Sequence, residues 1–420
     1  MDGQIHNWRD LSPGATSPLE AVARTYEAEG PEFLLRVDGQ FALAIMDSEG
    51  VFLARDPLGV VPLYFATGDV TCFASEVKAF LKLGNEPTEL PPGHYYHSRH
   101  GLASYAELDC DEQLDASPED LAVGLRHRLV RAIGKPLSEG VASAWLSGGL
   151  DSSAIAALAQ QQTSELHTFA IGLEGAPDLE FAGVVAGFIG SRHHEHRPTR
   201  KDLVEILPQV IYHLESFDAL LVRSSMVNFL AGKMASDYAP VVFSGEGSDE
   251  LFAGYDYLQG VTASHLAEEL LDLTLRLHNT ALQRVDRCSR AHGLRAYLPF
   301  LDREVVSLAL RIPTRYKLSP ATGMESKWIL RAAMEGLLPS DVLHRPKAKF
   351  WEGAGVEQLL ADAAEEIVSD ADLKREQKLP DGSLLQSKEE LLYYRLFRET
   401  FGDFESLEVV GRTKRVPTAV

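Results

Sequence analysis

Cysteine is scarce in this chain. Its 420 residues hold three, Cys72, Cys110 and Cys288, far apart in sequence. Their spacing matches no zinc or iron–sulfur pattern and implies no disulfide framework, which suits a reducing cytoplasm. Long apolar runs are missing too. No stretch is long enough to cross a bilayer as a helix, and the N-terminus lacks a signal-peptide pattern, so no membrane partner is expected. Internal repeats and low-complexity segments are absent. Basic residues are outnumbered, with 40 Lys and Arg against 61 Asp and Glu, a formal charge of −21. Such a charge repels a polyphosphate backbone and argues against nucleic acid as a partner. The Arg and Lys that remain read as local devices, for example for a nucleotide.

What is there is ordinary for a globular protein, 45% apolar and 24% charged, and long enough for two domains. Residues 31–110 read as β-rich, in "QFALAIMD", "VFLARD", "PLYFAT", "TCFAS" and "HYYHS", punctuated by Gly and Pro. An acidic stretch, "ELDCDEQLD", reads as a linker. Ser117-Pro118-Glu119-Asp120 then has the composition of a helix start. Beyond it, strand-like "VASAWL", "HTFAIGL", "RHHEHRP" and "APVVFSG" alternate with helical stretches. That alternation predicts a parallel sheet with helices on both faces. After residue 262 the chain reads as mostly helical, and from about Phe404 as a loose polar tail. The expected division is 1–115 for a β-rich domain and 116–420 for an α/β domain.

The chemistry concentrates at one junction. In "ASAWLSGGLDSSAIAALAQ" an apolar run ending at Leu146 meets Ser147-Gly148-Gly149-Leu150-Asp151-Ser152-Ser153, and a helix-forming run follows. Gly148 and Gly149 let a ligand approach the backbone, and the helix start and serine hydroxyls offer donors to a phosphate. Asp151 beside a phosphate makes sense only with a cation such as Mg²⁺ between them. The loop is neither a Walker A motif nor GxGxxG. A second strand-to-loop junction, "APVVFSGEGSDELFAGY", carries Ser244-Gly245-Glu246-Gly247-Ser248-Asp249-Glu250. Two such loops on one parallel sheet face the same crevice, where Asp151 and Asp249 can hold Mg²⁺ about a pyrophosphate. "HTFAIGL" adds a strand whose end, Ile171-Gly172, can meet an adenine. The three histidines of "RHHEH", His193, His194 and His196, lie on one expected strand and point to alternate faces, so we read them as structural.

These segments, with "LPFLDREVVSLALRIP" and "SKWILRAAMEGLLP", resemble the asparagine synthetase family in order and spacing across residues 120–400. "MDGQIHNW", "LARDPLGVVPLYF" and "FASEVKAFL" resemble that family's glutaminase domain. The resemblance implies an Ntn-hydrolase-like β-rich remnant followed by a parallel-sheet pyrophosphate-loop domain of the adenine nucleotide alpha hydrolase type. It implies that ATP, with Mg²⁺, activates a carboxylate as an acyl-adenylate, which an amine then attacks. By motif, Leu146, Ser147, Gly148, Gly149, Asp151, Ser152, Ile171, Gly172, Ser244 and Gly245 would bind ATP and pyrophosphate. Lys347 would touch the polyphosphate, and Asp151 and Asp249 would share the metal. Glu246 would orient or deprotonate the amine. Lys327 would stabilise growing charge, although from residue type alone it reads as a solvated helix lysine. Leu220, Leu221 and Arg223 would line the pocket for the carboxylate substrate.

The resemblance also has departures. The chain begins at Met1-Asp2, level with the middle of the family's glutaminase domain, without its N-terminal nucleophilic cysteine. The family's Asn-Gly-Glu glutamine-binding pattern stands here as Asp2-Gly3-Gln4, and a later aspartate as Pro18. Leu220 and Leu221 replace a pair of threonines, and Arg295 and Tyr297 replace Glu and Arg. The expectation is an AMP-forming amide ligase, acting on a small carboxylate and an amine without hydrolysing glutamine. Its alternatives are an ammonia-dependent asparagine synthetase and an inactive binding homologue. An RNA-thiolating enzyme would need a reactive cysteine and a basic face, and Cys288 lies on a helical stretch. The sequence leaves the oligomeric state open, a homodimer included.

Overall fold

The structure is a computed structural model describing residues 1–84, 86–110, 112–137, 143–319, 325–345, 353–402 and 407–414. The N-terminal part pairs β1 (Asp2–Ile5), β2 (Gly39–Met46), β3 (Val51–Arg55), β7 (His94–His97) and β8 (Gly101–Ser104) in one antiparallel sheet. A smaller antiparallel sheet holds β5 (Cys72–Ala74), β4 (Tyr64–Ala66) and β6 (Thr88–Glu89). Helices α1 (Trp8–Leu11) and α2 (Pro18–Glu29) lie between β1 and β2. Ser17 caps α2 by accepting from Glu20 N at 3.2 Å, and Pro18 takes the first helical position, where its missing N–H costs nothing.

Helix α3 (Pro118–Leu137) opens the second part, with Ser117 Oγ accepting from Asp120 N at 3.1 Å, as its sequence predicts. A five-stranded parallel sheet follows, in the order β11 (Arg192–His196), β10 (His167–Ile171), β9 (Ser143–Trp145), β12 (Val241–Phe243), β13 (Arg295–Tyr297). Its central strands are buried on both faces, so they read as continuous apolar runs. Helices α4 (Leu150–Gln160), α5 (Pro177–Ile189), α6 (Arg200–Leu214) and α7 (Ala219–Ser236) connect the strands. The short α8 (Ser248–Phe252), then α9 (Leu266–Leu275) and α10 (Ala281–Arg290), follow β12. Because β10 and β12 flank β9 on opposite sides, the chain reverses direction of winding there, and a ligand crevice forms at the strand ends. Among the described residues no helix is long and apolar enough to cross a membrane.

Charged side chains, half-buried or buried, join the two parts. Lys135 on α3 reaches Asp38 at 2.8 Å and Asp302 at 2.5 Å. Glu215 accepts from Val77 N at 2.9 Å and pairs with the fully buried Arg287 at 3.0 Å. Removing one partner of such a pair strands the other, at about 3–5 kcal/mol. Residues 407–414, the described part of the stretch beyond Phe404, differ from the expectation of a loose tail. Gly411 O accepts from Ser216 Oγ at 2.6 Å, and Thr413 N and Oγ1 donate to Asp218 at 3.1 and 2.9 Å. Buried polar side chains from the α6–α7 turn fix this segment, which a sequence pattern does not display.

Candidate active site

The ends of β9, β10 and β12 open into a cavity of about 930 Å³. Leu146, Ser147, Gly149, Asp151 and Ser152 line it from the first loop, Ser244, Gly245, Glu246 and Asp249 from the second, and Ile171 from β10. The two loops touch. A Cβ on Gly245 would fall 2.8 Å from Ser152 N, and Ser248 Oγ donates to Asp151 Oδ1 at 2.8 Å. Ser147 Oγ and Ser152 Oγ lie 3.1 Å apart, closing the first loop on itself. Two of the expected glycines serve packing instead. Gly148 has φ of +70° and a Cβ there would meet Phe181 Cβ at 2.4 Å, so it lets α5 pack against the loop. A Cβ on Gly172 would sit 2.9 Å from Ala176 Cβ. Neither lines the cavity.

Lys327 is buried, not a solvated helix residue. Its Nζ donates to Asp151 at 2.7 and 2.6 Å and reaches Asp249 at 2.6 Å. It sits just before the helix Trp328–Ala333 at φ of +56°, a left-handed conformation that costs a non-glycine residue about 1–3 kcal/mol. Its N–H donates to Phe252 O at 3.1 Å, which ties this turn to α8. The ammonium thus lies between the two carboxylates brought together by the loops. Gly254 makes room for it, since a Cβ there would fall 1.9 Å from Asp249 Oδ1 and 2.2 Å from Lys327 Cε. The resemblance motif contains Gly254, but residue type alone assigns it no role.

Arg284, on α10, pairs with Glu246 and is buried at the cavity wall. Glu250 and Tyr255 add a hydrogen-bonded pair to the same wall. Burial, reinforced by the neighbouring Asp249, pushes the Glu250 carboxyl up to about 7. The folded state therefore keeps a proton that an unfolded carboxyl releases near 4.5. Stability is expected to fall as pH rises from about 4.5 to 7, by on the order of 3 kcal/mol, and to stay level above that. Glu250→Gln should flatten this profile, which thermal unfolding between pH 4.5 and 8 would read directly. An unchanged slope would place the ionisation elsewhere.

The acceptor residues separate. Leu220, at the mouth, and the buried Leu221 both line the cavity, under an α7 N-terminus capped by Asp218. Arg223 does not line it. Its guanidinium is held bidentately by Glu389 at 2.9 and 2.6 Å and by Glu357 at 2.5 Å, so its charge is already matched. Arg295 and Tyr297 face a separate cavity of about 30 Å³ shared with Gly3, Gln4 and Gln40. Lys347 lies outside the described residues. The wall that sequence reading missed comes from α9, α10 and the turn between them: Leu273, Leu277, Ala281 and Arg284.

The donor set fits a magnesium nucleotide. Two carboxylates meet beside Ser-Gly loops, and among the described residues no three His, Cys, Asp or Glu gather as metal ligands. Mg²⁺ here would complete its shell with phosphate oxygens and water. Asp151 and Asp249 would hold it. Three buried polar atoms on the cavity wall, Trp145 Nε1, Asn228 Oδ1 and Arg284 Nε, find no hydrogen-bond partner among the described residues. Such groups cost about 1–3 kcal/mol each when left bare, so the wall is complementary to a polar ligand. Elsewhere, burial raises the Cys288 thiol to about 12, which makes it unreactive. His194 is hydrogen-bonded to His167 at 3.0 Å, stacks on it and lies tilted against Tyr238.

Comparison with known proteins agrees with this geometry. The asparagine synthase family model matches residues 124–272 and 259–415, and a glutamine amidotransferase domain model matches 6–82. The glutamine-hydrolysing asparagine synthetase 2 of Arabidopsis thaliana is 36% identical over 435 residues, covering 96% of this chain and 75% of that protein. Asparagine synthetase B of Escherichia coli, also glutamine-hydrolysing, is 35% identical over 96% of this chain and 78% of its own. The asparagine synthetase 1 of Saccharomyces cerevisiae is 33% identical over 94% and 80%. Two Ser-Gly loops converging at the switch point of a parallel sheet, an N-terminal antiparallel sheet preceding them in the chain, and these matches place the chain in the asparagine synthase family of ATP-dependent, amide-forming ligases.

Proposed function

We propose that the protein activates a carboxylic acid as its acyl-adenylate, releasing pyrophosphate, and transfers the acyl group to ammonia or another amine taken directly from solution. The observation that carries this reading is the Lys327 ammonium held between Asp151 and Asp249 where the two loops meet. Bound Mg²⁺ would supply charge neutralisation for the polyphosphate. Asp151 and Asp249 would hold the metal, and the Lys327 ammonium at the same junction would stabilise charge on the α-phosphate and on the oxyanion of the acyl carbon. Ser147, Gly149, Ser152, Ser244 and Gly245 present donors to the leaving pyrophosphate. Glu246, oriented by Arg284, accepts a proton from the attacking amine.

Two features support an amine that does not come from glutamine. Asp2 is tied to Arg290 and to Ser75 Oγ at 3.3 Å, and Pro18 begins a helix, so both altered positions do structural duty. The cavity at Gly3 and Gln4, about 30 Å³, has room for a water molecule and not for an amino acid. A third feature bears on the acid. Leu220, Leu273, Leu277 and Ala281 give its end of the cavity an apolar wall, and Arg223 is engaged elsewhere. The favoured acid has a more apolar body than aspartate, with Arg284 as a cation on the same wall.

The test is ATP-dependent pyrophosphate release over a panel of carboxylic acids, each with glutamine, ammonia or a simple amine. We expect ammonia or an amine to support turnover, glutamine to yield no glutamate, and aspartate to be disfavoured by about 10²–10⁴ against the best acid. Glutamate release would overturn glutamine independence. Aspartate with ammonia outpacing every other pair would establish an ammonia-dependent asparagine synthetase, the function that the relatives' names suggest.

A further inference from the structure

The mouth of the cavity is bridged by the chain's own C-terminal segment. Thr413 and Lys414 line the cavity, and they belong neither to the Ser-Gly loops nor to the helices around it. The segment is held on both sides. On the α7 side the buried Asp218 divides its carboxylate. Its Oδ1 accepts from Leu220 N at 3.1 Å and Leu221 N at 3.0 Å, and its Oδ2 accepts from Thr413 N at 3.1 Å and Thr413 Oγ1 at 2.9 Å. One side chain thus places two lining leucines and the segment beside them. On the α9 side Lys414 Nζ donates to Glu269 at 2.8 and 3.0 Å and to Asp272 at 2.8 Å. Each of those acids also holds a lining residue, Glu269 accepting from the Tyr257 hydroxyl at 2.7 Å and Asp272 from Arg276 Nε at 2.8 Å. Just upstream, Gly411 is wedged against the turn Leu277–Asn279, where a Cβ would fall 2.0 Å from Asn279 O. Residues 411–414 therefore tie three walls of the cavity together.

We infer that residues 411–414 are a strap across the acid's end of the cavity, with Thr413 as its positioning residue, and that the strap holds the activated acid against the apolar wall and keeps bulk water from it. The walls it joins are the ones that carry Leu220, Leu273 and Leu277. An acyl-adenylate has two fates. An amine attacking the acyl carbon gives the amide and AMP. Water attacking the same carbon returns the free acid and AMP, and one pyrophosphate has been released in either case. Excluding water from this end makes each pyrophosphate yield an amide. The Thr413 hydroxyl donates to a buried carboxylate, which makes it the stronger of the two anchors. The Lys414 pairs are partly exposed and add less. The strap's role rests on the acyl-adenylate proposed above.

The test uses the full chain carrying Thr413→Val and Lys414→Met together, with the acid and amine that wild type turns over fastest. Pyrophosphate and amide are measured in parallel. Wild type should form an amide for nearly every pyrophosphate. The double variant should raise KM for the acid by about tenfold or more, the scale of a lost hydrogen bond to a charged group, and keep KM for ATP within about twofold. Its yield of amide per pyrophosphate should fall clearly below that of wild type. Thr413→Ser with Lys414→Arg keeps the hydroxyl and the cation and should restore both readings. If the double variant does not fold, Thr413→Val alone decides, since it removes one hydroxyl and keeps the shape. An unchanged KM for the acid with an unchanged amide yield would overturn the strap. KM for ATP rising in step with KM for the acid would also overturn it, marking 411–414 as support for the whole cavity. A raised KM for the amine alone would assign the segment to the amine and overturn its place at the acid. Absence of pyrophosphate from wild type with every acid would overturn adenylation itself, an outcome read before any variant is made.

Discussion

Gly254→Ala is expected to leave a folded protein that turns over at least about 10²–10³ times more slowly than wild type. The added methyl would fall 1.9 Å from Asp249 Oδ1 and 2.2 Å from Lys327 Cε. Neither can retreat cheaply, because Lys327 is buried in a left-handed turn tied to Phe252 and Asp249 lies in the short helix α8. The substitution thus drives the metal-holding carboxylate and the charge-stabilising lysine apart, without removing either. Losing one such group costs about 10²–10³ in rate, and displacement of both sets that as a floor. Pyrophosphate release, measured beside circular dichroism, distinguishes this from unfolding. A Gly254→Ala enzyme with wild-type turnover would show that the contact between Asp249 and Lys327 is not used.

Lys327→Ala should lower the rate of acyl transfer by about 10²–10³ while ATP still binds. The mutant has a second signature. Removing the ammonium leaves Asp151 and Asp249 without the cation between them, and their repulsion destabilises the fold. Magnesium can take that place. The melting temperature of the mutant should therefore drop in EDTA and recover with Mg²⁺ far more than that of the parent protein. A mutant that melts and turns over like the parent would make Lys327 a spectator.

Legibility in the sequence followed the range over which each feature is determined. The central strands were visible because burial on both faces demands unbroken apolar runs, and both Ser-Gly loops because a strand-to-helix turn that holds phosphate needs small and hydroxyl residues in a row. Strand β13 was not visible. Arg295-Ala296-Tyr297 has no strand pattern and becomes a strand by pairing with β12. Lys327 looked like a surface residue because its burial is imposed by Asp151, 176 residues away. Arg223 looked like an anion site because its partner Glu389 lies 166 residues on. The segment around Thr413 looked loose because its anchor is the Asp218 carboxylate 195 residues earlier, which also caps α7. Loop chemistry was local and readable; charge pairing was set by tertiary structure and was not.

The most direct measurement uses oxygen-18 in the carboxylate of whichever acid in the panel supports the fastest pyrophosphate release, with ammonia or the matching amine and Mg²⁺-ATP. Activation as an acyl-adenylate moves one carboxylate oxygen to the α-phosphorus, so the label should appear in AMP, one atom per turnover, with unlabelled pyrophosphate beside it. Label in inorganic phosphate, formed together with ADP, would mean an acyl phosphate and would rule out adenylation.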